Sequence, residues 1–362
     1  MTTRFVVLAT GLLLAATLGT ANGVPARRMA ASTTEPITLY AARAGDTLEG
    51  LAARYMTSPR GAAIVQRLSG VADPFRMPVG IALRIPNRLL KSAPTTLTVL
   101  SVTGPVTRAS AAGAVATLAK GDEVREGDRV STGANAFATL AQADGTRVTL
   151  PSHTTLRAAI LRRVVLGSTA RSDLVVESGR SEMTVTPLRR PADRFEIRTP
   201  AAVAAVRGTQ FRVAYDPSKS LSTLEVMRGR VAEAAPAGTS PRDIGAGEAA
   251  QRPLGGERRI LPLPDAPALN PPDPTQEPPR LVLRIANPRP GWSYRFVLAR
   301  DEAFNEVLAE ITSSRGVARF DATPPETLSA KITAIDENGI EGFAKTYTIL
   351  RLTAPRLPHF GE

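Results

Sequence analysis

Apolar residues at 48, 51, 52 and 55 recur at i, i+3, i+4 and i+7, the stripe of a short helix that turns one face to a core. Asp46 stands ahead of them as an N-cap, and Glu49 three residues on has the spacing of a capping box. Both acids also suit the positive end of the helix dipole. Ser58-Pro59 restarts a helix, Ile64, Val65 and Leu68 supply its buried face, and Gly70 ends it. Apolar runs at 37–42 and 81–85 read as strands, so the first ordered unit has the order βααβ.

From residue 97 to 260 the pattern changes to short β-rich runs between glycine-containing turns, at 101–102, 136–140, 147–150, 174–177, 195–198, 210–215 and 224–227. No helix of convincing length interrupts them. One hairpin carries its own register test. Ala138 and Leu140 share a face with Val148 and Leu150 only if the loop is Ala143-Asp144-Gly145. A two-residue Asp-Gly loop would set Leu140 opposite Thr149 and split the apolar set, so Gly145 is expected in the left-handed position of a bulged turn. Residues 262–279 hold eight prolines, a semi-rigid polyproline II spacer or, less simply, a docking motif. Beyond it, runs at 281–283, 292–298, 309–312, 318–320, 328–335 and 343–350 suggest a small antiparallel sandwich with a turn at 336–339.

The chain of 362 residues is 43% hydrophobic and 22% charged, ordinary globular values that leave room for two or three domains. Residues 1–4 are cationic, 5–18 apolar and 19–23 small, the layout of a secretory signal peptide, followed by a flexible arm at 24–36. Absence of cysteine excludes disulfides and an N-terminal lipid-modified cysteine. No later run reaches ~18 apolar residues, so nothing is expected to span a membrane after cleavage. The formal charge of +12 lies in the front two-thirds: residues 37–90 have seven arginines against three acids, whereas 280–353 are nearly balanced. Such charge attracts anionic surfaces, but only five of the 45 basic residues are lysines, a bias that genome composition also produces. With 4% aromatics and no stacking rings interleaved with basic runs, nucleic acid is not an expected partner.

Three resemblances follow from ordered motifs. Tyr40-Ala41-Ala42, Gly45-Asp46-Thr47-Leu48 and the Gly80, Leu83, Ile85, Pro86 ending resemble the LysM family over residues 37–90. Ser69 and Val79 replace that family's usual asparagine and proline. The resemblance implies a glycan groove for peptidoglycan or another N-acetylglucosamine-containing polymer, formed by Gly45, Asp46, Thr47 and Leu48 facing Met77, Pro78 and Val79. The plainer alternative is that Asp46 and Thr47 cap a helix and Met77 packs. Gly121-Asp122, Gly127 to Gly133, Asp144-Gly145-Thr146, Gly179-Arg180, Thr199-Pro200, Val206 to Phe211, Gly229-Arg230-Val231 and Gly245 to Glu248 resemble the FecR-type domain over 97–260. That implies an all-β envelope module. The family's sigma-regulating segment and membrane helix are not matched. The run Ala330 to Asp336 with Gly339, Glu341 and Gly342 resembles the last hairpin of a fibronectin type III-like domain over 280–353, with Trp292 and Tyr294 as core aromatics. An exposed Trp292 would instead mark a sugar platform.

The expected fold class is therefore multidomain and mainly β, with an N-terminal βααβ LysM module, a central FecR-type domain and a C-terminal immunoglobulin/fibronectin III-like sandwich. Linkers fall at 91–96 and 261–279, and a tail at 354–362. Catalysis is not expected. His153 and His359 lack metal-ligand spacing, and no nucleophile elbow or phosphate-cradling glycine loop occurs. Paired acids at 122–123 and 336–337 fall at turns. Arg207 beside Gly208 could clamp an acid, but a glycine permitting a sharp strand entry is the commoner cause. No metal or cofactor is implied. The expected function is a noncatalytic periplasmic or secreted, wall-associated protein that binds peptidoglycan and displays its β domains for binding or scaffolding. The alternative is a ligand-sensing or signalling subunit that contacts an outer-membrane receptor or membrane regulator through the FecR-type domain.

Overall fold

The computed structural model describes residues 37–349 apart from 167, 168, 189, 191, 192, 237, 239, 271–278, 322 and 325. The expected signal peptide at 1–23, the arm at 24–36, the tail at 354–362 with His359, and four prolines of the 261–279 segment (271, 272, 274 and 278) fall outside these residues.

The first unit runs β1 (Ile37–Ala41), α1 (Leu48–Tyr55), α2 (Gly61–Ser69) and β2 (Ala82–Pro86). β1 and β2 pair antiparallel with Tyr40 opposite Leu83. Leu48, Leu51 and Ala52 of α1, Val65 of α2, and Leu83 and Ile85 of β2 are buried in one core, as the 3.6-residue pattern requires. Leu68 is a correction: it is 44% exposed, because α2 turns Ile64 and Val65 inward and leaves position 68 toward solvent. Gly70 closes α2 in the left-handed conformation, φ 65°. Val164 and Leu166, from the central β region, complete this core and fasten the unit to that region.

The central region consists of two ladders around one large core and sharing one strand. The long strand Ala170–Thr184 pairs with Thr155–Val164 and, in parallel, with Arg194–Arg198 through its first half. Its second half pairs with Arg147–Leu150 and Gln210–Asp216 of the other ladder. Gly179 sits where the strand passes between ladders. Its φ is +77°, and a Cβ there would lie 2.4 Å from the His153 carbonyl oxygen, so only glycine admits the crossing. The hairpin Phe137–Ala141 and Arg147–Leu150 has Leu140 opposite Val148 and Ala138 opposite Leu150, all four fully buried. Gln142 N–H donates to Thr146 O at 2.9 Å, enclosing the three-residue loop, and Gly145 has φ +91°.

After the central region come two further sheets: Leu281–Arg284 paired with Val317–Phe320, and a four-stranded sheet ordered Val307–Ser313, Ser293–Ala299, Leu328–Ile335, Glu341–Ile349. They enclose a core that includes Leu283, Phe296 and Ile332. Tyr294 is 2% exposed, while Trp292 is partly buried beneath the Arg289 guanidinium, 4.6 Å from its ring centre.

The proline-rich stretch is packed rather than free along its described first half. Leu263 is buried, Phe343 N–H donates to Pro264 O at 2.9 Å, and Ala286 N–H donates to Ala268 O at 2.9 Å. A Cβ on Gly342 would come 2.1 Å from the Pro264 carbonyl oxygen, so the last strand lies directly on the segment. Proline removes an N–H but leaves the carbonyl, and these carbonyls accept bonds from neighbouring strands. The expected spacer is thus, over residues 263–270, a strip held between two β bodies.

Candidate functional site

The loops expected to bind glycan are brought side by side. Leu48 N–H donates to Pro74 O at 3.2 Å, and Gly80 N–H to Ala42 O at 2.8 Å. Thr47, not Asp46, is the N-cap of α1: its hydroxyl accepts Gly50 N–H at 3.0 Å. The cap is one residue later than the sequence pattern suggests because the Asp46 carboxylate is occupied by the Tyr40 hydroxyl at 2.7 Å and Arg43 N–H at 2.8 Å. Glu49 therefore falls out of capping-box position and contributes only its charge near the helix start. Burial raises the Asp46 pKa, but the Arg43 N–H and Tyr40 hydroxyl outweigh it and hold the carboxyl below its usual range.

Among the seven expected residues, Gly45 is exposed with φ 84°, and Asp46 and Thr47 are half-buried. The Leu48 side chain lies in the core, at the floor of the adjoining cleft. Met77 is half-buried against that core, whereas Pro78 and Val79 are exposed. The sequence pattern missed Phe75, 63% exposed in the same loop, where Asp73 Oδ1 accepts its N–H at 2.8 Å. Its signal was the Asp73-Pro74 turn dipeptide, which projects the next residue outward. A cleft of about 480 Å³ adjoins these loops between α1 and α2, lined by Leu48, Ala52, Ala62, Gln66 and Pro74 among others.

The larger polar assembly lies where the central region meets the four-stranded sheet. Glu182, Arg212 and Glu225 are direct cross-strand partners on three adjacent strands, an acid–base–acid row. Opposing them are Glu310, Arg295, Lys331, Thr333 and Glu341 of the four-stranded sheet. Arg212 Nε donates to Glu225 Oε2 at 2.7 Å, and its Nη2 to Gly342 O at 2.6 Å. Glu341 accepts from Arg180, from Arg295 Nε at 3.1 Å and from the Thr333 hydroxyl at 2.6 Å, with Arg212 Nη1 at 3.4 Å. Glu341 N–H donates in turn to Glu225 Oε1 at 2.7 Å, and Lys331 Nζ to Glu182 Oε2 at 2.7 Å.

Four acids and four bases balance in this layer. Burial raises the Glu341 pKa, but Arg180, Arg295 and Arg212 overcome it and hold the carboxyl well below its usual range. Burial dominates at Glu225, whose pKa is raised despite Arg212. Two apolar patches flank the charges: Phe137 with Val297, Phe304 and Val307 on one side, Ala249 with Leu263 and Ile340 on the other. The Thr139 hydroxyl donates to Asn305 O at 2.9 Å and the Thr103 hydroxyl to Val307 O at 2.7 Å, closing the seam. Such an interface fixes one docking register, since sliding it would strand buried charges.

Arg207 does not join this layer; its Nη2 donates to Arg190 O at 3.2 Å. Gly208 has φ +78°, and a Cβ would approach Pro187 Cα at 2.8 Å, which accounts for the glycine. Among the described residues no group of three or more histidine, aspartate or glutamate side chains is arranged to hold a metal. Nor is any described helix long and apolar enough to cross a membrane.

Comparison with known proteins bears on part of the central region. The FecR protein family matches residues 128–232, from the turn at Asp128 into the strand Arg230–Ala234. The chain therefore carries a FecR domain, and that domain supplies Arg180, Glu182, Arg212 and Glu225 to the charged seam. No curated protein matches the chain. Two crystal structures of a candidate anti-sigma factor from Parabacteroides distasonis are similar to it at 21% and 20% identity, each with a TM-score of 0.31. Each alignment covers 37% of this chain and 59% of the other, so the chain spans about three fifths of those proteins.

Proposed function

We propose that this is a noncatalytic envelope protein whose FecR domain and C-terminal sheets act as one docking body in a signalling relay, engaging an outer-membrane receptor or a membrane regulator. The FecR match over residues 128–232 carries this reading. The charged seam supports it: a partner that grips either β body moves both, because separating them would break the ion pairs of Arg180 and Arg212 with Glu341 and of Lys331 with Glu182. The strand order of the four-stranded sheet favours a fibronectin III-like assignment for the C-terminal body. The apolar leader at 1–23 supports an exported location, periplasmic or secreted.

The test is photo-crosslinking in cells from position 115, whose valine is 69% exposed on a strand of the central region. Recovery of an outer-membrane receptor or membrane regulator supports the relay. Adducts to murein alone, or none, reject it.

A second reading keeps the LysM-like unit as a glycan-binding anchor, favoured by its βααβ order and by the two adjoining loops with exposed Phe75, an aromatic face suited to a sugar ring. Retention of the purified chain on murein sacculi, lost in Phe75→Ala and Asp46→Ala, supports that role. Equal behaviour of the variants and the native chain eliminates it.

A further inference from the structure

A cavity of about 490 Å³ opens between the βααβ unit and the first ladder of the central region, a volume in the range of small-molecule sites. Arg88, Arg162, Arg171 and Arg194 line it against a single acid, Glu126. The arginines are not scattered. Arg162 is the cross-strand partner of Arg171, and Arg171 that of Arg194, so three adjacent strands present a row of like charge on one face. Like charges directly opposite across strands destabilise a sheet, so such a row is costly to the unliganded fold.

The neighbours relieve only part of it. Glu126 grips Arg162 in a fork, with Nε to Oε2 at 2.7 Å and Nη2 to Oε1 at 2.6 Å. Hydrogen bonds from Arg162 lower the Glu126 pKa against burial, which keeps that carboxylate charged and committed. Among the described residues Arg194 has Glu196 at 3.9 Å, and Glu196 already accepts Arg198 at 2.8 Å. Asp173 is likewise held by Arg198 at 2.9 Å, and Asp193 accepts Ala170 N–H at 2.9 Å. Arg171 is exposed and is attracted to Glu126 and Asp173, two acids already held by Arg162 and Arg198. Thr57, Asn87, Ser92 and Thr169 add neutral polar groups to the wall.

We propose that this cavity binds a small dianion whose two charged groups, phosphate or carboxylate, meet Arg171 and Arg194. Neighbouring strands lie about 4.8 Å apart and arginine side chains are long, so two charged groups roughly 3–5 Å apart can each meet one guanidinium, as in a diphosphate or a short dicarboxylate. Guanidinium forks pair with either oxyanion. The site is independent of the relay reading, since it uses neither the charged seam nor the exposed position 115.

The test is calorimetric titration of the full chain with pyrophosphate and, separately, with glutarate, at about 0.15 M ionic strength, where exposed charges more than about 8 Å apart are screened. Saturable binding of one stoichiometric equivalent is expected. Preference between the two probes tells phosphate from carboxylate. Arg171→Ala with Arg194→Ala should weaken binding at least about tenfold, whereas Arg315→Ala, an exposed arginine on a remote turn, should leave it unchanged. Arg171→Gln should also hold or raise the unliganded melting temperature, because it removes a like-charge contact, and this readout does not depend on a ligand. Absence of saturable binding with both probes, equal weakening by Arg315→Ala, full affinity in the double variant, or a clear fall in melting temperature for Arg171→Gln would each overturn the assignment.

Discussion

Glu341→Gln isolates the charge that holds the two β bodies in register. Glutamine preserves side-chain shape and can still take the Thr333 hydroxyl, but it removes the anion shared by Arg180, Arg212 and Arg295. At the observed 3.1 and 3.4 Å, with an effective dielectric near 20, each full charge pair has a gross attraction of roughly 5 kcal/mol. Desolvation offsets much of that when the network is whole. Once the acid is gone, Arg212 stays 4% exposed with one fewer counterion, so a net loss of about 3–5 kcal/mol is expected, as for breaking a buried pair from one side. The assay is urea unfolding followed through the single tryptophan, Trp292, which sits in the C-terminal body and reports its release. A shift under about 1 kcal/mol for Glu341→Gln, the size expected of a surface pair, would refute the view that this seam is a buried lock.

Thr47→Ala should cost about 1 kcal/mol and speed amide exchange in the first turn of α1, while Asp46→Ala should leave that turn protected, because the cap is Thr47. Gly179→Ala should cost more than about 2 kcal/mol in global unfolding, since its φ of +77° and the His153 carbonyl at 2.4 Å both oppose a side chain. On acidification, Glu126, Glu177, Glu182 and Glu341 have native pKa values below the ordinary 4.5, so their stabilisation is complete above that value and is lost as pH falls through the native values. Asp173 and Glu225 are raised and act in the opposite sense, but they are fewer, so stability measured by denaturant titration should fall below pH ~4.5, and less steeply in Glu341→Gln.

Local sterics and periodicity made several elements legible in the amino-acid order. The three-residue turn at 143–145 follows from keeping Ala138, Leu140, Val148 and Leu150 on one face, a constraint that acts within fourteen residues. The βααβ order follows from helical spacing closed by Gly70. The cap at Thr47 was not legible, because Asp46 is an equally good cap until Tyr40 and Arg43 occupy its carboxylate. Nor was the packing of residues 263–270, since prolines suit both an open spacer and a strip whose carbonyls accept from adjacent strands.

The seam and the arginine row were decided by tertiary structure alone. Glu182, Arg212 and Glu225 read as ordinary outward polar positions of alternating strands, and Glu341 as a residue at the start of a hairpin strand. Strand alternation says which face a charge is on, but the partner facing it lies more than a hundred residues away in Glu341. Likewise Arg162, Arg171 and Arg194 become one row only through strand register, which is set by the whole ladder and by the crossing at Gly179. A chain of side chains encodes faces by short-range geometry; which faces meet is settled by the single packing that buries all the apolar stripes at once.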